Sequence, residues 1–115
     1  VLPVADLKAT IKYYKTKLGF SEEWFWEDTD AGCGRNELFM LFNLNPTLLD
    51  AMLAASAPLE IIWIAEQVDD IYAEYTQKDL TLLSELENKP WGMREFTIKD
   101  INGYAIRIAE PIENE

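Results

Sequence analysis

The sequence contains no histidine in its 115 residues. That removes the imidazole from every role it commonly fills near neutral pH: metal ligand, general base and proton shuttle. Ser56 and Ser84 therefore lack a histidine partner to activate them, and no glycine-rich phosphate loop is present. Cys33 is the single cysteine, so no internal disulfide forms and the chain fits a reducing cytoplasm. With no base beside it, Cys33 reads as a small apolar filler. Basic residues are also scarce: 10 Lys and Arg against 21 Asp and Glu leave a net charge of −11. Such a surface repels phosphate backbones and attracts cationic small molecules or basic protein surfaces, so no nucleic-acid partner is expected. No run approaches the ~20 apolar residues of a membrane span, and no basic-then-apolar leader is visible. A soluble protein with no membrane partner is the expectation.

What is present suffices for a packed core. A length of 115 residues suits one domain that needs neither metal nor disulfide to fold. Asp6 can cap a helix whose apolar positions Leu7, Ile11, Tyr14 and Leu18 recur at helical spacing, and Gly19 stops it. From Phe20 to Asp28, alternation puts Phe20, Trp24 and Trp26 on one strand face. Thr29 to Gly34 reads as a turn or short strand pair. Glu37 to Asn43 reads as a strand too hydrophobic to face water on either side. Thr47 to Ala55 reads as a short helical connector closed by Ala57-Pro58, and Leu59 to Ala65 as a buried strand. Val68, Ile71, Tyr72 and Tyr75 mark a second amphipathic helix. Leu80 to Leu86 is the next strand, Glu87 to Lys89 a polar loop, and Glu95 to Lys99 with Tyr104 to Ala109 a closing hairpin. The order is strand, helix, three strands, twice over. Aligning Asp6-Leu7 with Gln67-Val68 sets Ile11 opposite Tyr72 and Tyr14 opposite Tyr75.

The stretch Pro90-Trp91-Gly92 followed by Arg94-Glu95-Phe96, together with Leu18-Gly19-Phe20 and the opening Leu2-Pro3-Val4-Ala5-Asp6-Leu7, resembles the glyoxalase, bleomycin-resistance and extradiol-dioxygenase superfamily. The likeness is strongest to its bleomycin-resistance branch. The closing turn departs from the usual Asp-Pro-Asp-Gly-Asn, with Ile101 for Pro and Tyr104 for Asn, yet Asn102-Gly103 keeps residues that tolerate positive φ. The resemblance implies an α+β fold of two βαβββ modules, about 1–45 and 58–115, each a curved, mostly antiparallel sheet. It also implies assembly as a homodimer, with the first strand exchanged between subunits near a proline in some relatives, where Pro3 stands here. The superfamily's enzymes hold a divalent metal with His and Glu from the first and last strands of each module. Those positions fall on Glu60 and Arg107, with a further one just before Val1. Arginine is permanently cationic and cannot ligate a metal. An Arg107–Glu60 ion pair in place of the metal is one expectation, and two separately solvated charges the other.

Four tryptophans are many for this length, and core packing is the ordinary explanation for any one of them. Trp91 is different, because it sits beside Gly92 in a loop and the corresponding residue in bleomycin-resistance proteins lines the drug groove. The expected ligand contacts are thus Trp91, then Trp24 and Trp26, with Glu60 and Arg107 supplying charge and Phe39 and Phe42 as weaker candidates. The leading function is non-catalytic binding of a small aromatic, cationic molecule such as a drug or antibiotic in a dimer cleft, without a cofactor or metal. One rival is a metal-dependent lyase, isomerase or dioxygenase in which Glu110 replaces Arg107 as a ligand. The other is a dimeric interaction or regulatory module with no open cleft.

Overall fold

A computed structural model describes residues 1–55 and 60–112, and the chain divides into two compact units, Val1–Pro58 and Leu59–Glu115. In the first, β1 (Leu2–Val4) leads into α1 (Leu7–Thr16). Asp6 is in extended backbone, and its carboxylate accepts from the Ala9 N–H at 2.9 Å, satisfying one of the free donors of the first turn. Gly19, at φ +76°, turns the chain out of the helix. Then β2 (Glu22–Trp26), β3 (Asp30–Arg35) and β4 (Leu38–Leu44) form an antiparallel meander. β1 joins β4 in parallel, giving the order β1-β4-β3-β2. α1 lies on β3 and β4, burying Leu7, Thr10, Ile11 and Tyr14. Tyr14 is the centre of this core, 5.2 Å from the Phe20 ring and 5.1 Å from Phe42. α2 (Pro46–Ala54) follows, with Pro46 in its first turn and the Asn45 side chain accepting from Leu48 N–H at 3.0 Å. The expected stop at Ala57-Pro58 lies outside the described residues.

The second unit repeats the plan. β5 (Glu60–Ile64), α3 (Val68–Thr76), β6 (Thr81–Asn88), β7 (Met93–Lys99) and β8 (Ala105–Pro111) form a sheet in the order β5-β8-β7-β6, with β5 parallel to β8. The protein is thus α+β, built from two βαβββ units. The helices match at the expected offset: Leu7, Thr10 and Tyr14 are buried in one, Val68, Ile71 and Tyr75 in the other. Tyr72, opposite Ile11, is half-buried and meets Phe96 edge-on at 5.0 Å. α3 starts differently from α1. Gln67 stands in the left-handed region at φ +60° and gives no side-chain cap. Instead, the Glu110 carboxylate from β8 accepts from the Gln67 and Val68 N–H groups at 3.0 and 3.2 Å. The closing turn works without the usual proline because the Asp100 carboxylate accepts from the Asn102 and Tyr104 N–H groups at 2.9 and 2.8 Å.

Three sequence expectations need correction. Phe20 does not share a face with the indoles; it lies outside β2 and is buried against Tyr14. Glu87 and Asn88 belong to β6 rather than to a loop, and the strand absorbs two register shifts on the way. The third concerns the strands read as buried on both faces: Phe39 and Leu41 in β4 and Ile62 and Ile64 in β5 stand open. A single helix covers one face of each sheet, so alternate residues emerge on the other. Among the described residues, no helix is long and apolar enough to cross a membrane.

Candidate functional site

In the second unit, pairing across three strands collects the charged candidates on the face away from α3. Ile62 and Thr97 both lie opposite Arg107, and Glu95 lies opposite Ala109, so Glu60, Arg107 and Glu95 share that face by alternation. The side chains meet. Arg107 Nη2 is 2.7 Å from Glu60 Oε1, and its Nε is 3.2 Å from Glu95 Oε2. Of the two alternatives open in the sequence, the ion pair is therefore the one observed. Glu60 and Arg107 are about one-third exposed or more, whereas the Glu95 side chain is 3% exposed.

Glu95 also takes the next contact. Its Oε1 accepts from Trp91 Nε1–H at 2.7 Å, so Trp91, Glu95, Arg107 and Glu60 form one continuous string. Hydrogen bonds to a charged partner such as a guanidinium contribute about 1.5–3 kcal/mol each, and such contacts offset the cost of burying a carboxyl group. The turn before β7 presents the indole. Gly92 N–H donates to the Lys89 carbonyl at 3.1 Å, placing Pro90 and Trp91 at its two central positions. Gly92 itself is at φ +85°, where a side chain would be strained. Trp91 remains 61% exposed, its N–H tied down and its faces largely free. Lys89 Nζ lies 5.8 Å from the ring centroid while also pairing with Glu87, so this indole already attracts a cation.

The first unit has an open face of its own. Trp24 and Trp26 in β2 lie on it with Phe39 and Leu41 in β4, all between 40% and 64% exposed. Trp24 lies across Gly32, where an added methyl would come within 2.6 Å of the indole. Phe42 does not belong to this group. It pairs with Ala31 on the helix-covered face and is 1% exposed, which removes it from the ligand-facing candidates. Other cavities, about 270 Å³ beside Leu7 and Phe25 and about 150 Å³ beside Tyr72 and Phe96, include none of the candidate side chains.

The residues at the superfamily's metal positions do not fit a divalent ion. Arg107 places its cation between Glu60 and Glu95, and among the described residues no group of three or more His, Cys, Asp and Glu comes together. Glu110, the proposed substitute ligand, is committed to the first turn of α3. Asp69 and Asp70 lie in the first turn of α3. Asp69 accepts from Arg94 Nε and Nη2, at 3.1 and 2.8 Å, which holds its carboxyl below the usual value. Cys33 is buried, and burial with the nearby Glu23 charge pushes its thiol up to about 12.

Glu95 is the functional candidate that sequence reasoning passed over. In sequence it reads as the first residue of a hairpin strand, although a further signal is there. Counted back across the Asp100–Gly103 turn, Glu95 and Arg107 fall on one face of the hairpin within diagonal reach.

The sequence model of the glyoxalase/bleomycin resistance protein/dioxygenase superfamily matches residues 1–108, and the chain belongs to that superfamily. A search of curated proteins gives no significant match. Among solved structures, the chain is similar to TioX from Micromonospora sp. ML1, with a TM-score of 0.77 and 14% identity, over 96% of this chain and 94% of that one. It is equally similar in fold to a bleomycin resistance determinant encoded on the transposon Tn5, with a TM-score of 0.77 and 19% identity, over 96% and 92%. A superfamily member from Sphaerobacter thermophilus DSM 20745 has a TM-score of 0.70 and 20% identity, over 95% and 91%. At these identities the likeness is one of fold.

Proposed function

We propose that this protein binds a small, flat, cationic aromatic molecule without transforming it, as a drug- or antibiotic-sequestering protein does. The observation that carries the reading is the string Trp91–Glu95–Arg107–Glu60: an exposed indole held by its N–H, beside carboxylates where the superfamily's enzymes place a metal. Trp91 offers a face for stacking and for cation–π attraction, worth about 0.5–2 kcal/mol per good contact. Glu60, at 40% side-chain exposure, is the carboxylate of the string that a ligand cation can reach. Arg107 offsets one of the two carboxylate charges, so the string carries one net negative charge, which suits a monocation. On the first unit, Trp24, Trp26 and Phe39 offer an apolar contact surface of their own, and the net charge of −11 speeds the approach of cations. The reading includes a homodimer in which the open sheet faces are covered, and a cytoplasmic setting. The fold neighbour named as a bleomycin resistance determinant supports it by analogy.

The test is titration of the purified protein with ethidium, bleomycin and a panel of other aromatic cations while tryptophan emission is followed. Saturable quenching that weakens at least tenfold in Trp91→Ala is expected. Silence across the whole panel overturns the reading. A stoichiometric divalent ion in the purified protein would instead favour a metal-dependent lyase, isomerase or dioxygenase.

A further inference from the structure

The structure places one buried acid where it touches both halves of the candidate site. Among the described residues two acids are under 10% exposed, Glu95 and Asp100. Asp100 is explained by the turn it closes, through the Asn102 and Tyr104 amides. Glu95 is held by side chains instead. One of its oxygens accepts from Trp91 Nε1–H at 2.7 Å, and the other faces Arg107 Nε at 3.2 Å. A strand interior such as this one accommodates an apolar residue more cheaply than a carboxylate, because removing an ion from water costs several kcal/mol before its partners offset it. The fixed charge must therefore be explained by what it holds.

We propose that Glu95 is a positioning residue that sets the angle of the Trp91 indole and the seat of the Arg107 guanidinium at once. An indole has one polar atom, and tying that atom down leaves its two faces as the surfaces it can offer. Without the tie, Trp91 hangs from a turn at 61% exposure and samples several rotamers. Arg107 is gripped from two sides, by Glu95 below and Glu60 at the surface. Glu60 can thus turn to a ligand cation without releasing the guanidinium, because the buried acid still holds it. In its ligand aspect this inference rests on the binding reading above; in its structural aspect it does not.

The experiment separates the two. The four indole N–H signals of the ¹⁵N-labelled protein are recorded, and that of Trp91 is assigned by its loss in Trp91→Phe. In Glu95→Leu the Trp91 signal moves toward the position of a free indole and its hydrogen exchange accelerates at least tenfold, while the others hold still. In Glu95→Gln, which keeps an acceptor oxygen, the signal stays close to wild type; if the leucine substitution does not fold, Glu95→Ala takes its place and is read in the same way. An unmoved Trp91 signal in folded Glu95→Leu, or a Gln variant no better than Leu, overturns the proposal. Ethidium titration then reads the consequence: Glu95→Leu weakens binding about tenfold in the wild type and clearly less in Trp91→Phe, where only the Arg107 seat is left to lose. Fully additive losses would mean that Glu95 does not act through the indole, and would overturn it. If neither ethidium nor any other cation of the panel binds the wild type, the binding reading fails while the indole signals still decide the positioning role.

Discussion

At Gly32 the absence of a side chain is what allows Trp24 to lie flat on the open face of the first sheet. The 2.6 Å approach that a methyl would make is closer than real Cβ atoms come, and the Gly32 backbone is outside the left-handed region, so Gly32→Ala tests the contact alone. The expected outcome is an indole tipped into solvent, read as a red-shifted emission and stronger acrylamide quenching. Because Trp24 is exposed and can swing aside, stability should change by no more than about 1 kcal/mol. Cys33, on the opposite face of the same strand, should behave in the contrary way. Its raised pKa keeps it a thiol at pH 8, so a disulfide reagent should react slowly with the native protein and at the ordinary rate in urea. Rapid stoichiometric labelling of the native protein would contradict that. Exposure was legible in the sequence only where a local oddity marked it. The place of Trp91 beside Gly92 marks an exposed indole; the depth of Glu95 has no such mark, since an acid between Arg94 and Phe96 reads as a strand charge until register shows what lies next to it.

Among the elements, all three helices were readable, but only two of them carry their own caps. Asp6 and Asn45 announce α1 and α2 within three residues of the donors they satisfy. α3 shows its apolar spacing and two acids in its first turn but no local side-chain cap, because its cap comes from 43 positions further along. Asp6→Ala should therefore cost about 0.5–2 kcal/mol by urea denaturation, in line with other lost caps. Glu110→Ala should cost at least as much, since two backbone donors lose one acceptor together. A loss confined to Asp6→Ala would show that water serves α3 equally well. The strands were legible in order but not in exposure. Periodicity shows that β4 and β5 are apolar on both faces, yet it says nothing of whether a covering layer exists for each.

For the whole molecule, alkaline pH is the informative axis. Burial raises Tyr104 to about 12, with the Asp100 charge adding to it, and Cys33 rises from 9.0 to about 12. In each case the unfolded chain releases its proton first. Their stabilising contribution is intact below pH 9 and is lost as pH climbs toward 12. Urea midpoints should fall across that window, and Tyr104→Phe should flatten the fall above pH 10. Self-association is the second whole-molecule prediction. Trp24, Trp26, Phe39 and Leu41 form an apolar group on one sheet face, and sedimentation should show a dimer that Trp26→Asp weakens at least tenfold. The borrowed cap of α3 has one more consequence. A nine-residue helix is marginal on its own, and the acid that caps this one belongs to β8. On the ribosome, the cap of α3 can therefore form only after residue 110 has emerged, whereas that of α1 needs nothing beyond Ala9.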